Sequence, residues 1–198
     1  MRLSVNHFYV KQFHRALPLL RSRELAEVTS TQLTTLLIES VVGILLAYQT
    51  SLIERFPPIL LILPALLALR GDVSGALAAR LSTGLHLGVI RPWRFDREVL
   101  NNWIGAIFVT VIMTSSIGIL AYFWTGQQYS LPILVAVTVA AGLLASLPTN
   151  LVIMLIAMFT YYRGINPDNV VIPLATSLGD IIGFLALLAT ILLFLPLL

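Results

Sequence analysis

Four charged residues lie within otherwise apolar stretches and are costly to place there: Glu39, Arg70, Asp72 and Asp180. In lipid such groups need a partner or water, so each is a candidate functional position. Thr176, Asp180 and Gly183 are spaced i, i+4 and i+7, which puts a hydroxyl, a carboxylate and a small residue on one helical face. A second narrow stripe of small and polar residues consists of Asp72, Gly75, Ala76, Ala79, Thr83 and His86. Thr149 and Asn150 follow Pro148, where the ring frees a backbone carbonyl that can face a polar path. Carboxylate, hydroxyl, amide and carbonyl oxygens together suit a hard divalent cation, whereas Zn²⁺ and Cu⁺ prefer nitrogen and sulfur. Mg²⁺ leads on this chemistry, because it keeps much of its water and needs only a few carboxylates. A purely structural role remains open, with Asp72 and Asp180 capping half-helices or pairing with Arg70. Glu39 and Arg70 are expected to form a buried ion pair between the first two spans.

The elements that must carry these residues are membrane helices. The chain has 198 residues, of which 58% are hydrophobic and 11% charged, with a mean hydropathy of +0.94. A soluble domain of this size cannot usually hide that much apolar surface, so a lipid bilayer is part of its solvent. At about 20 residues per crossing, the apolar runs predict an all-α membrane protein of five transmembrane helices near 29–50, 58–89, 99–124, 131–161 and 170–197. Pro64, Pro148 and Pro173, with Gly71, Gly75, Gly179 and Gly183, suggest that the second, fourth and fifth are interrupted or tilted. Residues 1–28 read as an amphipathic cytoplasmic leader ahead of a transmembrane domain over 29–198, with no cleavable signal sequence.

Arginines in the leader, in the loop of the 90s and at Arg163 outnumber the lone Arg55 on the opposite side. The N-terminus is therefore expected in the cytoplasm and the C-terminus outside it, in a multi-pass cell-membrane protein. No cysteine is present, which excludes disulfides and thiol chemistry. The net charge of +3 sits beside apolar segments, which favours lipid headgroups over nucleic acid as its partner. A lipid-modifying enzyme is the weaker alternative. Asp72, Gly75, Ala79 and Arg80 partly resemble the metal-binding motif of CDP-alcohol phosphotransferases, but the further aspartates are missing after Gly88. A non-transporting accessory subunit is another alternative, if the buried charges only neutralise one another.

The run Pro64-Ala-Leu-Leu-Ala-Leu-Arg-Gly-Asp-Val-Ser-Gly-Ala-Leu-Ala-Ala-Arg-Leu-Ser-Thr-Gly-Leu-His-Leu-Gly88 resembles the signature of the MgtE and solute carrier family 41 magnesium transporters, and Arg80-Leu-Ser-Thr83 is closer to the solute carrier branch. Asn166-Pro-Asp, Pro173-Leu-Ala-Thr-Ser-Leu-Gly-Asp-Ile-Ile-Gly183 and Pro148-Thr-Asn-Leu151 are similar to the family's later motifs. The resemblance implies a homodimeric Mg²⁺ channel or transporter whose ion path lies at the dimer interface, lined by the second and fifth spans. It puts the pore aspartate at Asp180 and a carbonyl ligand at Thr176. Gly71 and Asp72 stand at a Gly-Asn element, with Asp72 replacing a frequent Asn, and Ile172 stands where some members carry a pore-facing Asn. Asp180, Asp72, Thr176, Gly71 and Asn150 are thus the expected ion contacts. Physical need also favours two copies, since five helices with one narrow polar stripe on each of two spans scarcely enclose a hydrated ion.

Overall fold

The computed structural model describes residues 29–30, 32–164 and 167–197, and every regular element in them is helical. The predicted amphipathic leader, residues 1–28, lies outside the described residues, as do residues 165–166 of the loop before the final span. The chain divides into two compact units at Leu37 and Ile38, and the bundle described below belongs to the second.

Among the described residues six α-helices follow one another: α1 (Gln32–Ala47), α2 (Thr50–Arg55), α3 (Ile59–His86), α4 (Arg97–Trp124), α5 (Leu131–Tyr162) and α6 (Pro167–Phe194), the last followed by a 3-10 turn at Leu195–Leu197. Four stretches are long and apolar enough to cross a membrane: α3, α4, α5 and Val171–Phe194 of α6. The predicted first span is represented by α1, which is apolar but covers about 24 Å at 1.5 Å per residue, short of a hydrocarbon core of about 30 Å. The sequence placed five spans of full length, and the described residues contain four.

The prolines do not break the helices, contrary to the interrupted helices expected from sequence. Pro64, Pro148 and Pro173 all lie inside continuous α-helix. Pro64 is the sixth residue of α3 and Pro173 the seventh of α6, so each ring disturbs only the opening turns. Helix α3 stops where Gly88 takes a left-handed φ of 71° and the amides of Val89 and Ile90 donate to the Gly84 carbonyl.

Two buried clusters organise the bundle. One joins Phe56, Ile59, Ile62 and Leu66 to Leu134 and Val137 of α5 and to Phe184, Leu187 and Ile191 of α6. The other joins Leu77, Leu81 and Leu85 of α3 to Ile153, Ala157 and Met158 of α5 and to Val171 and Ala175 of α6. Outward-facing Leu100, Ile104, Phe108, Leu120, Leu185 and Leu192 are exposed, as suits side chains whose solvent is lipid. Several hydroxyls in the spans are satisfied within their own helices: Thr110, Thr138, Thr160 and Thr190 each donate to the carbonyl four residues back.

Helices α4 and α5 cross at glycines. A Cβ built on Gly118 would stand 2.7 Å from the Val135 Cα and 3.0 Å from the Leu134 carbonyl oxygen, so the backbones touch where no side chain fits. On the facing helix, a Cβ on Gly142 would collide with Thr114. Gly118→Val is expected to destabilise the protein by about 1–3 kcal/mol, as overpacking against rigid backbone does. Thermal unfolding in detergent should show a lower midpoint, and an unchanged midpoint would refute this account of the crossing.

Candidate functional site

The Arg70 guanidinium occupies the junction of α3, α5 and α6. The residue is 4% exposed, and its Nη2 donates a 2.6 Å hydrogen bond to Thr149 Oγ1 on α5. Thr149 in turn donates to the Ala145 carbonyl at 2.8 Å, which fixes the hydroxyl's lone pairs toward the arginine. Helix α6 receives the arginine through two glycines. A Cβ on Gly179 would lie 3.0 Å from Nη2, and one on Gly183 would lie 2.9 Å from Cδ and 3.2 Å from Nε. Even an alanine at Gly183 would press on the arginine's stem. Nε and Nη1 are buried without a hydrogen-bond partner.

This overturns the expected ion pair between Glu39 and Arg70. Glu39 is exposed on α1, and the hydrogen bond that Arg70 makes is to Thr149. The failure has a physical cause: a small-residue face on α6 and a hydroxyl on α5 leave room for the guanidinium inside the bundle.

Asp180 is half-buried on α6, between the two glycines that accept Arg70. One turn earlier, Thr176 donates to the Pro173 carbonyl at 2.9 Å, so its hydroxyl is already committed to its own helix. Thr176 also meets α3: a Cβ on Gly71 would lie 3.7 Å from its Cγ2, ordinary van der Waals contact. Gly71 and Thr176, far apart in sequence, are thus brought together. Asp72 is exposed on α3, and so are Ala76, Ala79, Thr83 and His86 along the same helix, with Gly75 partly so. That stripe leaves small and polar side chains open on the surface of the bundle.

Asn150 is placed differently from the other candidates. It is fully buried on α5, and both its amide nitrogen and its carbonyl oxygen lack hydrogen-bond partners. Among the described residues no three His, Cys, Asp or Glu side chains gather as a metal cluster within one chain. Arg80 is exposed and borders a shallow groove of about 150 Å³ between α3 and α4, together with Asn102 and apolar residues including Ala76 and Val109. His86 stacks edge-on with Tyr161 at 5.6 Å, which gives it a packing role at the end of α3. Sequence reasoning missed the partnership of Arg70 with Thr149, Gly179 and Gly183. The available signal was a threonine and two glycines, which their spacing had assigned to a polar path and to helix interruptions instead.

Comparison with known proteins completes this description. The sequence matches the MgtE family, described as divalent cation transporters, over residues 63–190. It is 33% identical over 148 residues to human solute carrier family 41 member 2, covering 70% of this chain and 25% of that protein. The chicken protein of the same name is also 33% identical, over 143 residues, covering 67% of this chain and 24% of the relative. Mouse solute carrier family 41 member 3 is 25% identical over 159 residues, covering 75% and 33%. The chain therefore spans about a quarter to a third of the length of these relatives. No solved structure matches it. The family match extends from the start of α3 almost to the end of α6 and takes in Arg70, Asp72, Asn150 and Asp180. With its membrane-length helices and its family's transport chemistry, this chain is a multi-pass membrane protein that belongs to the MgtE family of divalent cation transporters, a family of transporters and not of enzymes.

Proposed function

We propose that this chain carries Mg²⁺ across a membrane along a path formed where two copies meet, with Asp180 as the central ion contact. One observation carries the reading. Asp180 is a carboxylate only half-covered by its own bundle, on a helix long and apolar enough to span lipid. Lipid solvates such a group poorly, so its open side calls for water, an ion or a second copy.

A parallel two-fold arrangement supplies both walls of the path. The exposed small residues Ala76 and Ala79 of α3 allow close approach of a second protomer, and Asp72 on the same helix adds a second carboxylate per copy. Gly71 of α3 faces Thr176 of α6, and the two contribute backbone carbonyls to the path. Asn150 adds an amide oxygen if the α5 face opens toward the path. Oxygen contacts of this kind suit Mg²⁺ in particular, which can pass with much of its hydration shell intact. Helix α1, extended by its flanking residues, serves as the fifth crossing. That puts the N-terminus in the cytoplasm, with the leader on the membrane surface, and the C-terminus on the far side.

Purified protein in liposomes loaded with a Mg²⁺-sensitive dye should admit Mg²⁺. Asp180→Asn should reduce the initial rate by at least about tenfold, since the site loses a full charge in a medium of low dielectric constant. Wild-type flux in that variant would overturn the assignment of Asp180. The interface has its own check, because the chain has no native cysteine. Ala79→Cys, exposed on α3, should cross-link to a dimer in oxidised membranes, while Leu120→Cys on the outward face of α4 should not. A monomer band from Ala79→Cys, or equal dimer from both, would rule out the α3 interface.

A further inference from the structure

We propose that Arg70 is a built-in counter-charge for Asp180, a specificity-determining residue that keeps the ion site weak enough to release what it binds. The inference rests on Asp180 being the ion contact and adds a group that no oxygen-ligand scheme contains: a cation fixed behind the carboxylate.

The geometry allows little else for this side chain. A guanidinium cannot lose its proton under ordinary conditions and lipid will not solvate it, so its charge must be balanced from within the protein. Its hydrogen bond to Thr149 is to a neutral group. The two glycines that admit it, Gly179 and Gly183, lie one residue before and three after Asp180, so the positive charge sits against the same turn of α6 that carries the carboxylate. Three helices hold the guanidinium: α3 by its own backbone, α5 through Thr149, and α6 through the glycine gap. It cannot swing away when a cation arrives.

The consequence for transport is electrostatic. A conducting site must attract its ion strongly enough to fill and weakly enough to empty. Two bare carboxylates facing each other in a low-dielectric setting would hold a divalent cation too firmly. An arginine behind each one cancels part of the field seen from the path, while the carboxylate oxygens stay available to the ion's water. The exposed Asp72 and Glu39 carboxylates then restore long-range attraction for cations without touching the central site. Entry and release are thereby governed by different residues.

Five proteins test this in liposomes and by calorimetric titration of Mg²⁺ in detergent: wild type, Arg70→Lys, Arg70→Gln, Asp180→Asn and the double variant Asp180→Asn with Arg70→Gln. Arg70→Gln should lower the Mg²⁺ concentration for half-maximal flux and the dissociation constant by about tenfold, and reduce the maximal rate as release slows. Arg70→Lys should restore values near wild type, because it keeps the charge; loss of the Arg70→Gln effect to mere misfolding would not be rescued in this saturation constant. Should Arg70→Gln fold poorly, Arg70→Met combined with Thr149→Val removes both partners of the hydrogen bond and carries the same expectation. In the Asp180→Asn background, Arg70→Gln should bring no recovery of affinity or flux. A folded Arg70→Gln, or its paired substitute, with a wild-type half-saturation constant overturns the inference, as does a gain of affinity that persists without Asp180. Undiminished flux in Asp180→Asn alone would instead remove the reading of the ion site on which it stands.

Discussion

The hydrogen bond from Arg70 to Thr149, with the guanidinium pressed against Gly179 and Gly183, is the constraint on which the interior of this bundle depends. A charged group inside a membrane helix cannot borrow water, so its neighbours must be chosen for it. Gly179 and Gly183 on α6 have no side chain because the arginine takes that space. Thr149 on α5 has a hydroxyl because Nη2 needs an acceptor. Three helices are thereby set at one depth and one rotation, and Asp180 is carried to its half-buried position as a result.

Around that junction the bundle obeys the rules of a solvent that offers no hydrogen bonds. Many serine and threonine hydroxyls return to carbonyls of their own helices, and contacts between helices are made by glycines, alanines and interlocked aliphatic side chains. Apolar residues therefore occur on both the inner and outer faces. The difference between the faces lies in size and fit: Ala141, Ala145 and Ala157 of α5 are fully buried, while Leu144, Leu151 and Leu155 of the same helix look out. Hydrophobic burial does little to hold such helices together once they are in lipid; close packing and the few polar contacts do.

The same logic explains why the polar residues of α3 separate into two kinds. Arg70 points into the bundle and is accounted for there, while Asp72, two residues on, is exposed beside Ala76 and Ala79. A carboxylate and a small-residue stripe on the outside of a membrane helix are unusual company for acyl chains. They are natural company for a second protomer and a hydrated cation, which is the physical core of the transport reading. Asn150, buried with neither amide atom bonded, is among the polar groups that the described bundle leaves unsatisfied, with Ser82 Oγ, Trp103 Nε1 and two nitrogens of Arg70.

Much of this was determined by the sequence alone. The positions of α3, α4, α5 and α6 follow from the length of their apolar runs, since lipid fixes how many residues a crossing needs, and the Asp72 and Asp180 segments carry family motifs that can be read without coordinates. What the sequence did not contain was partnership. Glu39 and Arg70 both lie well inside apolar runs and carry opposite charge, which made them an obvious pair, yet Arg70 bonds a neutral threonine 79 positions away. Pro64 and Pro173 looked like breaks, but near helix starts they cost few hydrogen bonds and the helices continue. Periodicity tells which residues share a face of one helix. Which face meets which neighbour depends on how all the helices rotate to bury a guanidinium and close their backbones at glycines, and only the tertiary structure decides that.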